Sequence, residues 1–330
     1  MPTFSLLTGA ALVATCSLAT ACAAAKPPPP SADASTRAVM LMPAPAVQRY
    51  RARDGAELAF REFEPAPRAP QPPVVAIVFH GSAGDSRNLT VLGQALAAAG
   101  VPTFTPDARG QGLSGRRGDI DYIGQLDDDL ADFVSVVRRA YPKARLVLAG
   151  HSSGGGFVLR VAGEPLGRQF SHFVLISPYL GVRSPSTNQA SGWAEADVPR
   201  IAALAALNQL GVTRFNGLTT IRFNVSADAV RELGVTPAWS YRMMNNFGPR
   251  GMVQTSGEPA YRLDAAHADA PITVVVGGAD EQMNADRYAE AFKGLAHPPA
   301  IELAPGVRHM EVLSDPGAVP LIVAAIKAGG

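Results

Sequence analysis

Residues 146–161 read LVLAGHSSGGGFVLRV. One apolar run enters a cluster of small polar residues and a second apolar run leaves it. Gly150-His151-Ser152-Ser153-Gly154 satisfies G-x-S-x-G, a pattern that occurs once in the chain. A buried strand running straight into this turn and a helix running straight out would present a hydroxyl above the carboxyl end of a β-sheet. The plainer alternative is a Gly/Ser turn that merely joins a strand to a helix. Register singles out Ser152 as the nucleophile. Centring on Ser153 would put His151 and Gly155 at the flanks and lose the small residue before the turn. Ser153 then contributes its backbone amide as an oxyanion donor.

Outward from this stretch, PVVAIVF (73–79) is a continuous β-branched run, as in a strand covered on both faces. ELAFREFE (57–64) alternates and stops at Pro65, like an outer strand. VPTFTP (101–106), FVLIS (173–177), TVVV (273–276) and AIEL (300–303) are further strands. Helical patterns fall around Val91–Ala99 and from Tyr122 to Ala140, where Ile123, Leu126, Leu130, Val134 and Val137 form a stripe. Strands alternating with helices predict an α/β fold with a mostly parallel central sheet flanked by helices on both faces. The alternation breaks between Ser177 and about Asp269, a stretch that includes AALAALNQL (202–210). It is too long for a simple connection and reads as an inserted helical cap over about 180–268.

A serine hydroxyl becomes nucleophilic only when a base takes its proton and a third group orients that base. Of six histidines, His309 in GVRHMEVL follows a strand and precedes the last helix. Asp280, in TVVVGGADEQ, stands just past a buried strand on a Gly-rich loop; Glu281 is the alternative acid. Both loops should leave the sheet at the same edge as the Ser152 turn. The second oxyanion donor is expected after the first buried strand, in FHGSAGDSRN (79–88), at the amide of Ser82. His151 should pack beside the turn, and His172, His267 and His297 read as surface or capping residues. Asp127, Asp128 and Asp129 suit the dipole at the start of the long helix and suggest no metal site.

The chain has 330 residues, 47% hydrophobic, with 29 Lys and Arg against 28 Asp and Glu. A net charge of +1 without a basic block makes no case for nucleic acid. A small neutral or lipid-like substrate fits better, and no protein partner is implied. Residues 1–25 are apolar and uncharged and run into Lys26 and PPPP, like an export signal before a Pro/Ala-rich linker over 26–48. No basic residue precedes Lys26, and an uncleaved anchor of similar length is the alternative. Both cysteines, Cys16 and Cys22, fall in this leader. SLATAC resembles a bacterial lipobox, which would tether the mature protein to a membrane through Cys22; Ala19 stands where the pattern prefers Leu. A cysteine in an Ala-rich leader is the equal alternative. The expected location is therefore outside the bacterial cytoplasm: periplasmic, secreted or as an envelope lipoprotein.

HGSAGDS, DARGQGLSG, GHSSGG, the Asp280 loop and the His309 loop, in this order, resemble the α/β-hydrolases over about residues 49–330. Within them the chain is similar to the monoglyceride lipase and lysophospholipase-like branch, which also holds serine aminopeptidases. Where that branch has Gly-His-Gly-x-Ser, this chain has Gly110-Gln111-Gly112-Leu113-Ser114. The resemblance implies a Ser-acid-His hydrolase without a cofactor, whose cap forms the acyl or alcohol pocket. A carboxylic-ester hydrolase is the leading expectation. Trp193, Phe215, Trp239, Tyr241, Met243, Met244 and Phe247 are candidates for pocket or cap core. An aminopeptidase would need cap carboxylates for a free amine, with Glu195 and Asp197 available. A non-catalytic envelope binding protein on the same scaffold is the third option.

Overall fold

A computed structural model describes residues 34–67, 73–249 and 257–330. The leader, Cys16, Cys22 and the first part of the Pro/Ala-rich stretch lie outside the described residues. Helix α1 (Ala34–Met40) precedes strands β1 (Gln48–Arg51), β2 (Glu57–Phe63) and β3 (Val74–Phe79). Then come α2 (Thr90–Ala98), β4 (Thr103–Pro106), α3 (Gln125–Ala140), β5 (Arg145–His151), α4 (Ser153–Ala162) and β6 (His172–Ile176). The insertion carries β7 (Ala194–Ala196), α5 (Val198–Gln209), β8 (Thr219–Phe223), β9 (Ala238–Ser240), α6 (Tyr241–Met244) and α7 (Ala260–His267). The chain closes with β10 (Ile272–Gly277), α8 (Tyr288–Ala291), β11 (Ala300–Ala304) and α9 (Ala318–Ala328).

Eight strands form one sheet in the order β1-β2-β4-β3-β5-β6-β10-β11. Strand β2 runs antiparallel to both its neighbours, and the others are parallel. Side chains alternate between faces with period two, so a strand covered on both faces, such as β3, is apolar at each position. Val75, Ile77 and Phe79 of β3 join Leu146 and Leu148 of β5 in the core beneath α3 and α4. Val74, Ala76, Val78, Val147 and Ala149 face the other way, into a second core with α2 and α9. This two-faced burial is why PVVAIVF is continuous rather than alternating.

Parallel register brings the working ends of the strands to one edge. Phe79 pairs with Gly150, His151 with Ile176, and Gly277 with Ala304. The three carboxylates at the start of α3 do more than suit a helix dipole. Asp127 pairs with Arg160, Asp128 with Arg53, and the buried Asp129 with the buried Arg109 at 2.7 Å. Ile123 lies ahead of α3 and is exposed, so the stripe begins at Leu126.

Two expectations need correcting. The insertion is not wholly helical, because β7, β8 and β9 form an antiparallel three-stranded sheet. TTIRF (219–223) begins with three β-branched residues, which suits a strand. Helix α7 belongs to the layer of the main sheet: the backbone of Asp264 lies against Gly163, at the end of α4. The stretch over 26–48 also contains α1, whose Met40 is buried against the insertion rather than free in solvent. The signal for it is short, a seven-residue helix, so packing against residues far along the chain decides it.

The turn between β5 and α4 is packed backbone to backbone. A Cβ on Gly150 would lie 2.4 Å from the carbonyl oxygen of Gly154, and one on Gly154 2.3 Å from that of His80. Neither neighbour is a flexible side-chain tip. Gly154→Ala is expected to cost about 1–3 kcal/mol of unfolding free energy, as overpacking of a tight interior does. Urea denaturation at neutral pH reads it, and a change below about 0.5 kcal/mol, the range of ordinary surface substitutions, would contradict the packing described.

Candidate active site

Ser152 closes β5 and caps α4 with φ 53° and ψ −120°. A side-chain-bearing residue in that region is strained. The turn is held from three sides. Ser152 N–H donates to the carbonyl of Ile176 at 2.9 Å, and its own carbonyl accepts from Gly156 at 3.1 Å and from Tyr179 at 2.9 Å. Ser153 keeps ordinary helical placement as the first residue of α4, and its hydroxyl is buried without a partner. Of the two serines, Ser152 has the exceptional backbone and lines the cavity at the sheet edge.

His309 and Asp280 come together across their loops. The imidazole Nδ1 lies 2.8 Å from Asp280 Oδ2 and 3.0 Å from Oδ1. Asp280 Oδ1 also accepts the backbone N–H of Gln282 and of Met283, each at 2.9 Å. Burial works to raise this carboxyl, but the neighbouring His309 and these hydrogen bonds outweigh it and hold the group below the ordinary carboxylate range. An ionised Asp280 favours the tautomer with the proton on Nδ1, leaving Nε2 as the acceptor. The two loops are stitched together by Gly278 N–H to the carbonyl of Ala304 (2.7 Å) and Ala279 N–H to that of Val307 (2.9 Å). Glu281, the other candidate acid, does not meet the imidazole. Its carboxylate accepts the backbone N–H of His309 at 3.1 Å and lies 3.6 Å from Arg308.

His151 does more than fill space beside the turn. Its Nε2 lies 3.0 Å from the carbonyl oxygen of His309, and the two rings are 4.6 Å apart between centroids. Burial first, then the nearby His309, push its pKa down to about 3, so the ring is neutral and Nε2–H is the donor. His172 is not a surface residue: it is buried in β6 and bonded to the Thr273 hydroxyl at 2.9 Å. His267 and His297 are exposed. His80, buried, accepts the Ala108 N–H at Nε2 (3.1 Å), so its Nδ1–H donates to the Gly81 carbonyl at 2.8 Å. It ties the loop after β3 to the loop after β4.

That loop after β3 lies directly on the serine. A Cβ on Gly81 would sit 3.0 Å from Ser152 Cβ and 3.1 Å from His151 Nδ1. Ser82 follows it, and its hydroxyl accepts the Trp193 indole N–H at 3.2 Å. Trp193 thus links the cap to the loop that carries the expected oxyanion donor. Ser153 N–H, in the first turn of α4, has no partner within the helix.

Ser152, His309, Gly81 and Ser82 line one cavity of about 280 Å³, together with His151, Glu281 and Trp193. Among the expected pocket residues only Trp193 is there. Trp239, Tyr241 and Met244 are buried in the main core, with Trp239 packed edge-on against Phe223 and Phe247. Met243 and Phe247 are core too, and Phe215 is partly exposed away from the cavity. The apolar wall comes instead from Met40, Val225, Ala229, Leu233 and Val235. Ala229 and Leu233 were readable as a helical i, i+4 pair in ADAVRELGV (227–235); nothing in the sequence tied Met40 to them.

A protein-family model described as "Serine aminopeptidase, S33" matches residues 70–316. A monoacylglycerol lipase of Mycolicibacterium smegmatis is 23% identical over 228 residues, 68% of this chain and 80% of that protein. A monoglyceride lipase of Rattus norvegicus is 31% identical over 129 residues, 38% of this chain and 41% of that one. Among solved structures, a soluble variant of monoglyceride lipase from Saccharomyces cerevisiae superposes with a TM-score of 0.63 at 19% identity, covering 88% of this chain and 96% of that one. Paleococcus ferrophilus monoacylglycerol lipase gives 0.58 at 20%, covering 83% and 100%. At these identities the structures share the fold.

The depressed pKa of His151 has a consequence for stability. Between the ordinary histidine value near 6.5 and about 3, the unfolded chain binds a proton at this residue that the folded chain refuses. Its contribution is complete above pH 6.5 and is lost as pH falls toward 3, with a slope of at most about 1.4 kcal/mol per pH unit. His151→Gln retains a donor for the His309 carbonyl but cannot titrate. Its unfolding free energy, from urea curves at pH 4.5 and 7, is expected to fall less on acidification than the wild type's. Parallel declines would mean that His151 is not held neutral by burial.

Proposed function

Because the chain belongs to the serine aminopeptidase S33 family, within the α/β-hydrolase fold, we propose that it is a serine hydrolase of carboxylic esters. The observation that carries the proposal is the short His309–Asp280 contact in the same cavity as a serine of strained backbone. In this mechanism Ser152 Oγ attacks the ester carbonyl and His309 Nε2 takes its proton. Asp280 holds the imidazole by Nδ1 and stabilises the imidazolium as charge develops. The N–H groups of Ser82 and Ser153 receive the oxyanion, where one preorganised donor is typically worth about 3–4 kcal/mol. His309 then returns the proton to the leaving alcohol, and water releases the acyl group by the same steps.

The lipase names of the two sequence relatives support an ester of lipid-like or acyl character. The aminopeptidase alternative loses its expected anchors. Asp197 caps α5 and pairs with Arg200 at 2.6 Å, and neither it nor Glu195 lines the cavity. Glu281 does line it, but it is engaged by the His309 N–H and Arg308. The binding-protein alternative leaves the strain at Ser152 and the buried Asp280–His309 pair without a purpose. Export, and attachment through Cys22, remain part of the proposal on the leader sequence alone, to be read by mass spectrometry of the mature N-terminus.

Hydrolysis of p-nitrophenyl butyrate against an aminoacyl-p-nitroanilide separates ester from peptide chemistry, and the butyrate is expected to be the substrate. Ser152→Ala should abolish turnover, and Asp280→Asn should lower kcat by about 10³–10⁴-fold, as loss of the correct tautomer does in such triads. Ser153→Ala, which keeps the backbone amide, should retain turnover. Undiminished activity in Ser152→Ala would sink the assignment.

A further inference from the structure

The cavity has a wall that the family match does not reach. Helix α1 ends at Met40, whereas the matched residues begin at 70. Thr36 and Met40 lie one turn apart on a common face of α1, and both line the cavity. Met40 is 4% exposed and packs with Ala229, Leu233 and Val235 in an apolar cluster separate from the two cores that flank the sheet. Outside this cluster Arg37 pairs with Glu232, and Arg87, from the turn before α2, donates to the carbonyl of Leu233. Leu233 ends a π-helical turn (Ala229–Leu233) that stops at Gly234, whose φ of 68° lets the chain reverse. The cap turn, the loop after β3 and α1 are therefore held as one unit. Ser152, His309 and Gly81 also line this space.

We propose that α1 gauges chain length: Met40, with Leu233 and Val235, is the surface against which the apolar chain of the ester ends. This rests on the ester-hydrolase reading above. The cavity is about 280 Å³, and Met40, Leu233 and Val235 supply part of its apolar wall, so these side chains bound the room left for an apolar chain. The length limit is thus set in part by a residue outside the stretch, residues 70–316, that the family model matches. Met40 touches no reacting atom; it determines specificity.

The test is a p-nitrophenyl ester series from butyrate to dodecanoate on the full chain, with Met40→Ala, Met40→Trp and Leu233→Ala. Urea midpoints check that each variant folds, and Leu233→Ala reports from the cap side should a Met40 variant not fold. Wild-type kcat/KM should rise with chain length and then drop within the series. Met40→Ala and Leu233→Ala should raise the dodecanoate-to-butyrate ratio about tenfold, the effect of burying one or two further methylenes. Met40→Trp should lower the octanoate-to-butyrate ratio. Variants that scale every ester by the same factor would overturn the gauge while leaving the ester reading intact. A wild type that hydrolyses no ester fails the ester reading instead. In that event calorimetric titration of the Ser152→Ala protein with 1-butanol and 1-dodecanol decides the gauge. A dodecanol affinity selectively raised by Met40→Ala supports it, and an unchanged ratio overturns it.

Discussion

Ser152 is held at φ 53° because the chain around it has nowhere else to go. Its amide is committed to Ile176, its carbonyl to Gly156 and Tyr179, and the glycines on either side lie against neighbouring backbone. Strain of about 1–3 kcal/mol at one residue persists only when the surroundings over-determine it. Here two parallel strands and a helix do so. The elbow in turn fixes the loop after β3, since a Cβ on Gly81 would lie only 3.0 Å from the Ser152 Cβ. One local constraint therefore sets the position of both candidate oxyanion amides relative to the hydroxyl.

The other half of the site is arranged by charge and by neutral hydrogen bonds. Asp280 is buried, yet His309 and two backbone amides keep it ionised. The backbone of His309 is gripped on both sides: its N–H by Glu281 and its carbonyl by His151. A protonated imidazole 4.6 Å from His309 would oppose any positive charge there; burial removes that conflict by keeping His151 neutral. The same ring can then act as a donor that steadies the backbone of His309.

Cap and N-terminal helix supply shape rather than chemistry. Trp193 reaches Ser82 from the cap, and the π-helical turn meets Met40 from the other end of the sequence. The aromatic residues of the cap that looked suited to a ligand, Trp239 and Tyr241 among them, anchor the cap on the main sheet instead. Large rings are the most effective anchors for an insertion that must be held over a site. Smaller side chains are left to line it.

The strand periodicity, the strand–turn–helix at Ser152 and the placing of the loops of residues 280 and 309 were legible from residues alone, because each is a local pattern with a local physical cause. A run apolar at every position needs two covered faces, and a serine between glycines needs a turn without Cβ atoms. That these two loops meet followed once both were placed at the carboxyl edge of a parallel sheet. What tertiary structure alone decided is which side chains face the cavity. Met40 and Leu233 are 193 positions apart and meet through packing that no periodicity records, while Trp239 and Met244 turn into the core. The choice between Asp280 and Glu281, adjacent in sequence, was likewise made by loop geometry: one carboxylate reaches the imidazole and the other its backbone. Direction of a side chain depends on every element packed around it, so the chain specifies it only when folded.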